Sequence, residues 1–238
     1  MYADDLLLIA ASLSDLQKLI VLCTEQFRLI NLSINIHKTV YIRVGKRWNT
    51  ECMINVNSYN IKCTDTLKYL GVSIKAGKFC KFDTEAQKLN CFRAMNGLLA
   101  KIGTKNPSLV IHMCRIFCLP ILLYGVEAMN LGSSATKKLN YPIDRLLCKT
   151  FNVSSRDSIM CCQFFTSCLP VNYQADIKCF NFYYKLSRSN NALIKLLYNC
   201  FARQALNALC LKYLYSDFLD VEGFRLKVWS FFGDQVHS

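Results

Sequence analysis

The chain has 238 residues, of which 53% are hydrophobic, and its mean hydropathy is +0.19. This composition excludes disorder over most of the length, and the length suffices for one large domain or two small ones. The net charge is +13, from 29 Lys and Arg against 16 Asp and Glu, and such an excess favours a polyanionic partner, either nucleic acid or an anionic membrane surface.

The first thirty residues combine an acidic pair, an apolar run and a helical pattern. Asp4 and Asp5 are adjacent, and the apolar residues 6–10 that follow predict a strand. Ser14-Asp15-Leu16-Gln17 matches a capping box, and the apolar stripe after it predicts a helix. Asn31 lies where a left-handed residue is expected to end that helix.

Short strands are predicted next. Apolar residues alternate between residues 32 and 44, which predicts a strand ending near Gly45. Residues 52–56 and 60–63 flank Asn57-Ser58-Tyr59 and predict a hairpin. Residues 67–74 predict a further strand with Gly71 inside it, and a glycine there is typical of a close approach by another backbone or of a kink.

The remainder of the chain has a helical pattern. Helices are predicted over residues 84–102, 108–130, 134–151, 172–188 and 191–215, with breaks near residues 103–107, 132 and 170. The last twenty residues predict no definite element. We therefore expect an α+β chain, with a boundary near residue 80 between a mixed part and an all-helical part.

The basic residues are concentrated in one region. Residues 38–105 carry 13 Lys and Arg against four acidic residues, which accounts for +9 of the net +13. Aromatic residues are interleaved with these charges, a combination that suits a nucleic-acid strand. A solvated basic face over aromatic core residues would give the same pattern.

Neither the cysteines nor the apolar residues indicate a secreted or membrane protein. The 14 cysteines lack the paired spacing of zinc sites, and we expect Cys114 and Cys118 to be buried thiols. No secretory signal is recognisable, which predicts an intracellular protein of the nucleus or cytoplasm. The longest apolar stretch, residues 116–126, is about half of the roughly 20 residues that span a bilayer, so we expect no membrane span.

The carboxylates of Asp4 and Asp5 suit a cation. Adjacent carboxylates repel unless solvent or cations compensate them, and hard oxygen ligands suit Mg²⁺. Two such ions can activate a primer hydroxyl and stabilise leaving pyrophosphate. An acidic surface turn is the competing interpretation of the same residues.

Four motifs, in order, resemble the reverse transcriptases of LINE-type (non-LTR) retrotransposons. The first is Met1-Tyr2-Ala3-Asp4-Asp5-Leu6-Leu7-Leu8, which resembles the polymerase motif of that family. The others are Leu32-Ser33-Ile34-Asn35-Ile36-His37-Lys38-Thr39, Leu67-Lys68-Tyr69-Leu70-Gly71-Val72-Ser73-Ile74 and Leu122-Leu123-Tyr124-Gly125-Val126-Glu127. Asn31 stands where the family usually has glycine.

The resemblance implies an RNA-directed DNA polymerase with an RNA template and a DNA primer as partners and Mg²⁺ as cofactor. Asp4 would be the main metal ligand and Asp5 an auxiliary one, while Tyr2 would pack near the primer end. Lys38 would help to neutralise or protonate the leaving pyrophosphate, or be a surface cation. The candidate nucleic-acid-binding residues are Tyr2, the expected primer grip Tyr69, Leu70 and Gly71, and the lysines Lys62, Lys68, Lys75 and Lys78. Glu127 is expected to be a structural hydrogen-bonding residue.

The resemblance also implies how the chain is divided. Residues 1–80 would be a partial polymerase palm, residues 81–151 a thumb-like helical region, and residues 152–238 a helical region of unknown role. The fingers and the other metal-binding aspartate of the family lie upstream of its acidic motif, so we expect a truncated and catalytically incomplete remnant. Two alternatives stay open, a non-catalytic basic nucleic-acid-binding protein and a helical protein-interaction module.

Overall fold

The computed structural model describes residues 4–46, 53–56, 59–129, 131–215 and 220–237, with only the backbone of Ser133. The protein is α+β and divides into two compact units, Met1–Asp83 and Thr84–Ser238. Helices on both sides of residue 151 contribute to one hydrophobic core. The expected division into regions 81–151 and 152–238 stays a prediction.

Helix α1, Leu13–Leu29, is the one described helix of the first unit. Its cap is Ser12, whose hydroxyl accepts a hydrogen bond from the Asp15 backbone N–H at 3.1 Å, so the predicted start at Ser14 is wrong by two residues. The left-handed conformation predicted for Asn31 is confirmed, with φ of 57°. The buried side chain of this helix is Ile20.

Residues 6–10 do not form the predicted strand. A strand needs a hydrogen-bonded neighbour, and none of the described strands pairs with this segment. Ile9 is 80% exposed, whereas Leu8 packs against a small core formed by Ile20, Tyr41, Ile54, Val56 and Ile61. An apolar run alone therefore did not make a strand here.

Three small sheets are found in the first unit. Strand β1, Val40–Tyr41, pairs in parallel with β4, Lys62–Cys63, and β2, Asn55–Val56, pairs antiparallel with β3, Tyr59–Asn60. The predicted hairpin is thus confirmed with shorter strands, and Tyr59 is in a strand. The predicted strand over residues 32–44 is wrong for most of its length, because a turn at Asn35 interrupts it.

The third sheet is antiparallel and has the order β5–β6–β7. Its strands are Thr66–Tyr69, Val72–Lys75 and Lys81–Asp83. The prediction of one strand over residues 67–74 is wrong, because the chain reverses at Leu70 and Gly71, both of which have positive φ. Gly71 is a turn residue here rather than a point of close approach within a strand.

The described helices of the second unit form two adjoining cores. They are α2 Glu85–Ile102, α3 Pro107–Met113, α4 Leu119–Leu122, α5 Ser133–Phe151, α6 Arg156–Phe165, α7 Val171–Ser187, α8 Ala192–Leu197, α9 Arg203–Lys212 and α10 Val221–His237. One core lies among α2 to α5 and the start of α7, and the other lies among α7, α9 and α10. Helices α6 and α10 were not predicted from the sequence.

The helix predicted over residues 108–130 is interrupted. A π-helical turn, Cys114–Cys118, separates α3 from α4. It ends two residues before Pro120, which cannot donate the usual backbone hydrogen bond. Gly125, with φ of 68°, then begins a short 3₁₀ turn, Val126–Ala128. Glu127 lies in that turn with its Oε2 buried, and no described donor contacts this oxygen, so the expected hydrogen bond is not found there.

One segment, Pro107–Ala128, is long and apolar enough by composition to cross a membrane, with a mean hydropathy of 2.0. Core helices of soluble proteins satisfy the same criterion. Here the segment contributes Val110, Cys118 and Leu122 to the first core of the second unit. Cys114 and Cys118 are 1% and 0% exposed, which confirms that they are buried thiols, and every described cysteine is free.

Candidate nucleic-acid interface

The expected primer-grip residues form the tip of a tight hairpin. Tyr69 at the end of β5 pairs with Val72 at the start of β6, and only Leu70 and Gly71 connect them. Their φ values are 46° and 81°, as in the type I′ turn that joins antiparallel strands through two residues. The three residues that the sequence analysis grouped thus lie together at one end of the sheet.

Leu70 is in an unusual conformation for its residue type. A left-handed backbone brings Cβ close to the following carbonyl, which costs roughly 1–2 kcal/mol for residues other than Gly, Asn and Asp. The first central position of such a turn is usually Asn, Asp or Gly. Leu70 is 36% exposed, so its side chain is only partly buried at the tip of the hairpin.

One face of the three-stranded sheet is basic. Lys68 lies opposite Ser73, and Lys75 lies opposite both Thr66 and Lys81. Since directly opposed residues of antiparallel strands share a face, Lys68, Lys75 and Lys81 project on the same side. We call these three residues the lysine face; all three are exposed.

The lysine face has uncompensated positive charge. Lys75 Nζ lies 2.9 Å from Asp83 Oδ2, which neutralises one of the three cations. Lys75 and Lys81 nevertheless face each other directly, and like charges in that position destabilise a sheet by roughly 0.2–1 kcal/mol. An anion bound to this face would relieve the repulsion.

The opposite face of the sheet is apolar. Leu67, Tyr69, Val72, Ile74 and Phe82 alternate with the lysine face, and all five are half-buried. Tyr69 therefore projects away from the lysines. Its ring cannot stack on a strand that lies across the lysine face, although it is adjacent to the hairpin tip.

The other candidate lysines are separate from the lysine face. Lys62 is exposed in β4, in a different sheet, where it pairs with Val40. Lys78 follows β6 in the loop before β7, and its Nζ is 5.7 Å from the centre of the Phe79 ring. The structure thus groups two of the four predicted lysines, Lys68 and Lys75, and adds Lys81. A predicted strand at residues 81–83 would have placed Lys81 on this face through its register, but no strand was predicted there.

Lys38 lies on a turn organised by Asn35. The Asn35 carbonyl accepts hydrogen bonds from the Thr39 backbone N–H at 3.0 Å and the Thr39 hydroxyl at 2.7 Å, and Asn35 Oδ1 accepts one from the Lys38 N–H at 3.2 Å. These bonds position the Lys38 backbone while its side chain is exposed. No ion pair involving Lys38 occurs in the described part of the chain.

Asp4 and Asp5 are both exposed, and Tyr2 lies outside the described residues. Across residues 4–237, apart from the undescribed positions, no group of three His, Cys, Asp or Glu side chains could hold a metal ion. Asp4 and Asp5 provide carboxylates from a single segment, and ligand number and rigidity set Mg²⁺ affinity. This donor set does not fit a tight Mg²⁺ site.

Comparisons with known proteins add no relative. A scan against protein-family models found no match, and neither the curated proteins nor the solved structures contain a match to this chain.

Proposed function

We propose that the chain is a nucleic-acid-binding protein derived from the reverse transcriptase of a LINE-type retrotransposon and lacking catalytic activity. In this proposal the β5–β6–β7 sheet binds the primer–template duplex. The lysine face contacts backbone phosphates, and the Tyr69-Leu70-Gly71 tip contacts the primer end. Asp4, Asp5 and Lys38 are remnants of the catalytic site.

The main observation behind the proposal is that the hairpin tip and the lysine face belong to the same small sheet. The tip is the segment that resembles the primer grip, and it contains the strained residue Leu70. Backbone strain at an exposed position is frequent at ligand-binding sites, where contacts with the ligand maintain it. The lysines next to it have the charge that phosphates require.

The proposal is tested by binding to a primed RNA template. Fluorescence anisotropy of a labelled DNA primer annealed to RNA would measure the dissociation constant of the full chain between about 50 and 200 mM salt. We expect Lys68→Gln/Lys81→Gln to weaken binding and to reduce the salt slope by about two. Lys75 is left unchanged because its ammonium group forms an ion pair with Asp83.

A matched control comes from the same unit. Lys62→Gln/Lys78→Gln removes the same charge from residues outside the lysine face, and we expect a smaller loss and a nearly unchanged slope. An equal loss of duplex affinity in the two double variants would show nonspecific attraction to the basic unit. That result would contradict a binding site on the sheet.

A protein-interaction module is the second candidate, and one surface favours it. The segment from α8 through the π-helical turn and α9 to the turn that follows exposes apolar side chains that are 47–81% accessible: Leu193, Leu196, Leu197, Phe201, Leu211 and Leu214. Large apolar side chains exposed along one stretch of chain favour an interaction site. Absence of duplex binding even at low salt would favour this function over the first.

A further inference from the structure

The second unit has an open cavity of about 480 Å³ between α2 and α5. It is lined by Lys88 of α2 and by Ser134, Lys137, Lys138 and Tyr141 of α5. Lys137 and Lys138 lie three and four positions after Ser134, and Tyr141 lies three positions after Lys138, so the four α5 residues occupy one face of that helix. This surface is distinct from the lysine face, which belongs to the first unit.

The cavity has a net positive charge. Its lining has three ammonium groups and no carboxylate. Lys88 is bound to Glu85 at 3.0 Å, with its side chain 24% exposed, whereas neither Lys137 nor Lys138 has an ion-pair partner among the described residues. The cavity also lies at the first two turns of α5, where the backbone dipole adds positive potential.

Size and charge together indicate the class of ligand. Cavities of roughly 300–1,000 Å³ accommodate small ligands of nucleotide size. Lys137 and Lys138 supply two charges without an ion-pair partner among the described residues, beside the paired Lys88, and these match the negative charges of a terminal phosphate or an oligophosphate, whereas each nucleotide of a strand carries a single backbone charge. The Ser134 hydroxyl can donate to a phosphate oxygen.

An aromatic wall completes the site. The Tyr141 ring is 51% exposed, and it contacts Phe92 edge-on with the ring centres 6.0 Å apart. Such a fixed and accessible ring can stack with a base. We infer that this cavity binds a small oligophosphate ligand such as a nucleoside triphosphate, with its phosphates on Lys88, Lys137 and Lys138 and its base against Tyr141.

Isothermal titration of the full chain with sodium tripolyphosphate and with ATP, both without divalent cations, tests this inference. Lys137→Gln/Lys138→Gln should lower the affinity for both ligands at least tenfold. The control Lys195→Gln/Lys227→Gln, which removes two exposed lysines of the same unit, should leave both affinities unchanged. Equal losses of affinity in the two double variants would overturn the inference. Unchanged affinity in both double variants would overturn it as well.

Two further readouts locate the ligand. Tripolyphosphate should protect Lys137 and Lys138, but not Lys195 or Lys227, from acetylation measured by mass spectrometry. Tyr141→Ala should lower the affinity for ATP and leave the affinity for tripolyphosphate unchanged. The same acetylation pattern with and without tripolyphosphate would contradict binding in this cavity.

The site is also distinguishable from a strand-binding surface and from the proposed sheet interface. Lys68→Gln/Lys81→Gln should retain tripolyphosphate affinity, so either proposal can fail alone. If Lys137→Gln/Lys138→Gln weakened an oligothymidine without terminal phosphates but not tripolyphosphate, the cavity would be part of a strand surface and the inference would be wrong.

Discussion

At the scale of single residues, two positions are expected to gain folding stability from a conservative substitution. Leu70 adopts φ of 46° at the tip of the β5–β6 hairpin, and Asp144 is a half-buried carboxyl of the helical unit. The left-handed backbone of Leu70 is strained, and partial burial disfavours the charged form of Asp144. One conservative substitution removes the strain at Leu70, and another removes the charge of Asp144. Each substitution therefore tests whether the feature destabilises the fold and whether binding depends on it.

Leu70→Asn is expected to stabilise the hairpin by about 1 kcal/mol, because Asn followed by Gly is preferred in a type I′ turn. Hydrogen exchange of the β5 and β6 amides, measured by mass spectrometry, would show slower exchange. Leu70→Ala removes most of the same side chain but keeps the left-handed penalty, so it should not slow exchange. If Leu70 contacts the primer, Leu70→Asn should also weaken duplex binding.

Asp144 links α5 to α6, and its hydrogen-bond partner Asn140 links α5 to α7. Its Oδ1 accepts hydrogen bonds from Asn140 Nδ2 at 2.8 Å and Gln163 Nε2 at 3.3 Å, and Asn140 Oδ1 accepts one from the Val171 backbone N–H at 2.9 Å. Burial raises the pKa of Asp144 to about 6, although the hydrogen bond from Asn140 and the charge of Arg156 oppose this shift. The folded protein therefore retains the Asp144 proton to higher pH than the unfolded chain, whose carboxyl has a pKa of about 4.

Because the folded state binds more protons between pH 4 and 6, the contribution of Asp144 to stability falls as pH rises through that window and stays low above it. Asp144→Asn keeps the oxygen acceptor without the charge, so it should raise the free energy of unfolding by about 1–2 kcal/mol at pH 7.5 and have little effect near pH 4. Urea unfolding at both pH values would measure this. The exposed Asp157→Asn should give no such gain, and a lower stability of Asp144→Asn at pH 7.5 would contradict the argument.

At the scale of elements, helix α10 is held to α7 by aromatic packing. The rings of Phe224 and Phe180 are parallel with centres 3.9 Å apart, and both residues are fully buried. The rings of Tyr213 and Tyr215 contact Phe224 edge-on at 5.5 Å. One side chain of α10 thus connects it to the middle of the second core.

Phe224→Ala is expected to destabilise the helical unit by about 3–5 kcal/mol, since it removes a large buried ring and leaves a cavity. Chemical unfolding followed by circular dichroism would measure the change. Leu226→Ala in the same helix provides the control, because Leu226 is 69% exposed and should change stability by less than about 0.5 kcal/mol. Similar losses for the two variants would indicate that α10 does not pack in this way.

At the scale of the whole molecule, these 238 residues are expected not to extend a primer. The described residues offer two exposed carboxylates from one segment and no cluster of three potential metal ligands. Incorporation of labelled nucleotide on a primed RNA template with Mg²⁺ or Mn²⁺ would measure the activity, with Asp4→Asn/Asp5→Asn as control. Incorporation that this control variant loses would show that the acidic pair still forms a catalytic site.

Local patterns predicted the features that depend on neighbouring residues. Helices α1, α2, α5 and α7 follow from their apolar periodicity and agree with the structure within two residues at each end. The left-handed Asn31 and the hairpin around residues 57–58 also follow from local chemistry. The mixed and helical parts, expected to divide near residue 80, divide in the structure after Asp83.

Features that depend on distant partners were not predictable in this way. An apolar run becomes a strand only when a neighbour satisfies its backbone, so residues 6–10 remained irregular. The reversal at Leu70 was hidden because leucine rarely has positive φ. Helices α6 and α10 were missed because their aromatic and small residues obscure helical periodicity.

The sequence by itself determined the α+β class, most of the long helices, the basic character and the motifs that suggest a polymerase ancestor, because each depends on residue type and short spacing. Only the tertiary structure decided which lysines share a face, that Lys81 joins Lys68 and Lys75, and that Lys88 meets Lys137 and Lys138 around one cavity. Strand register and helix packing bring residues that are distant in the chain together, and no local pattern specifies that arrangement.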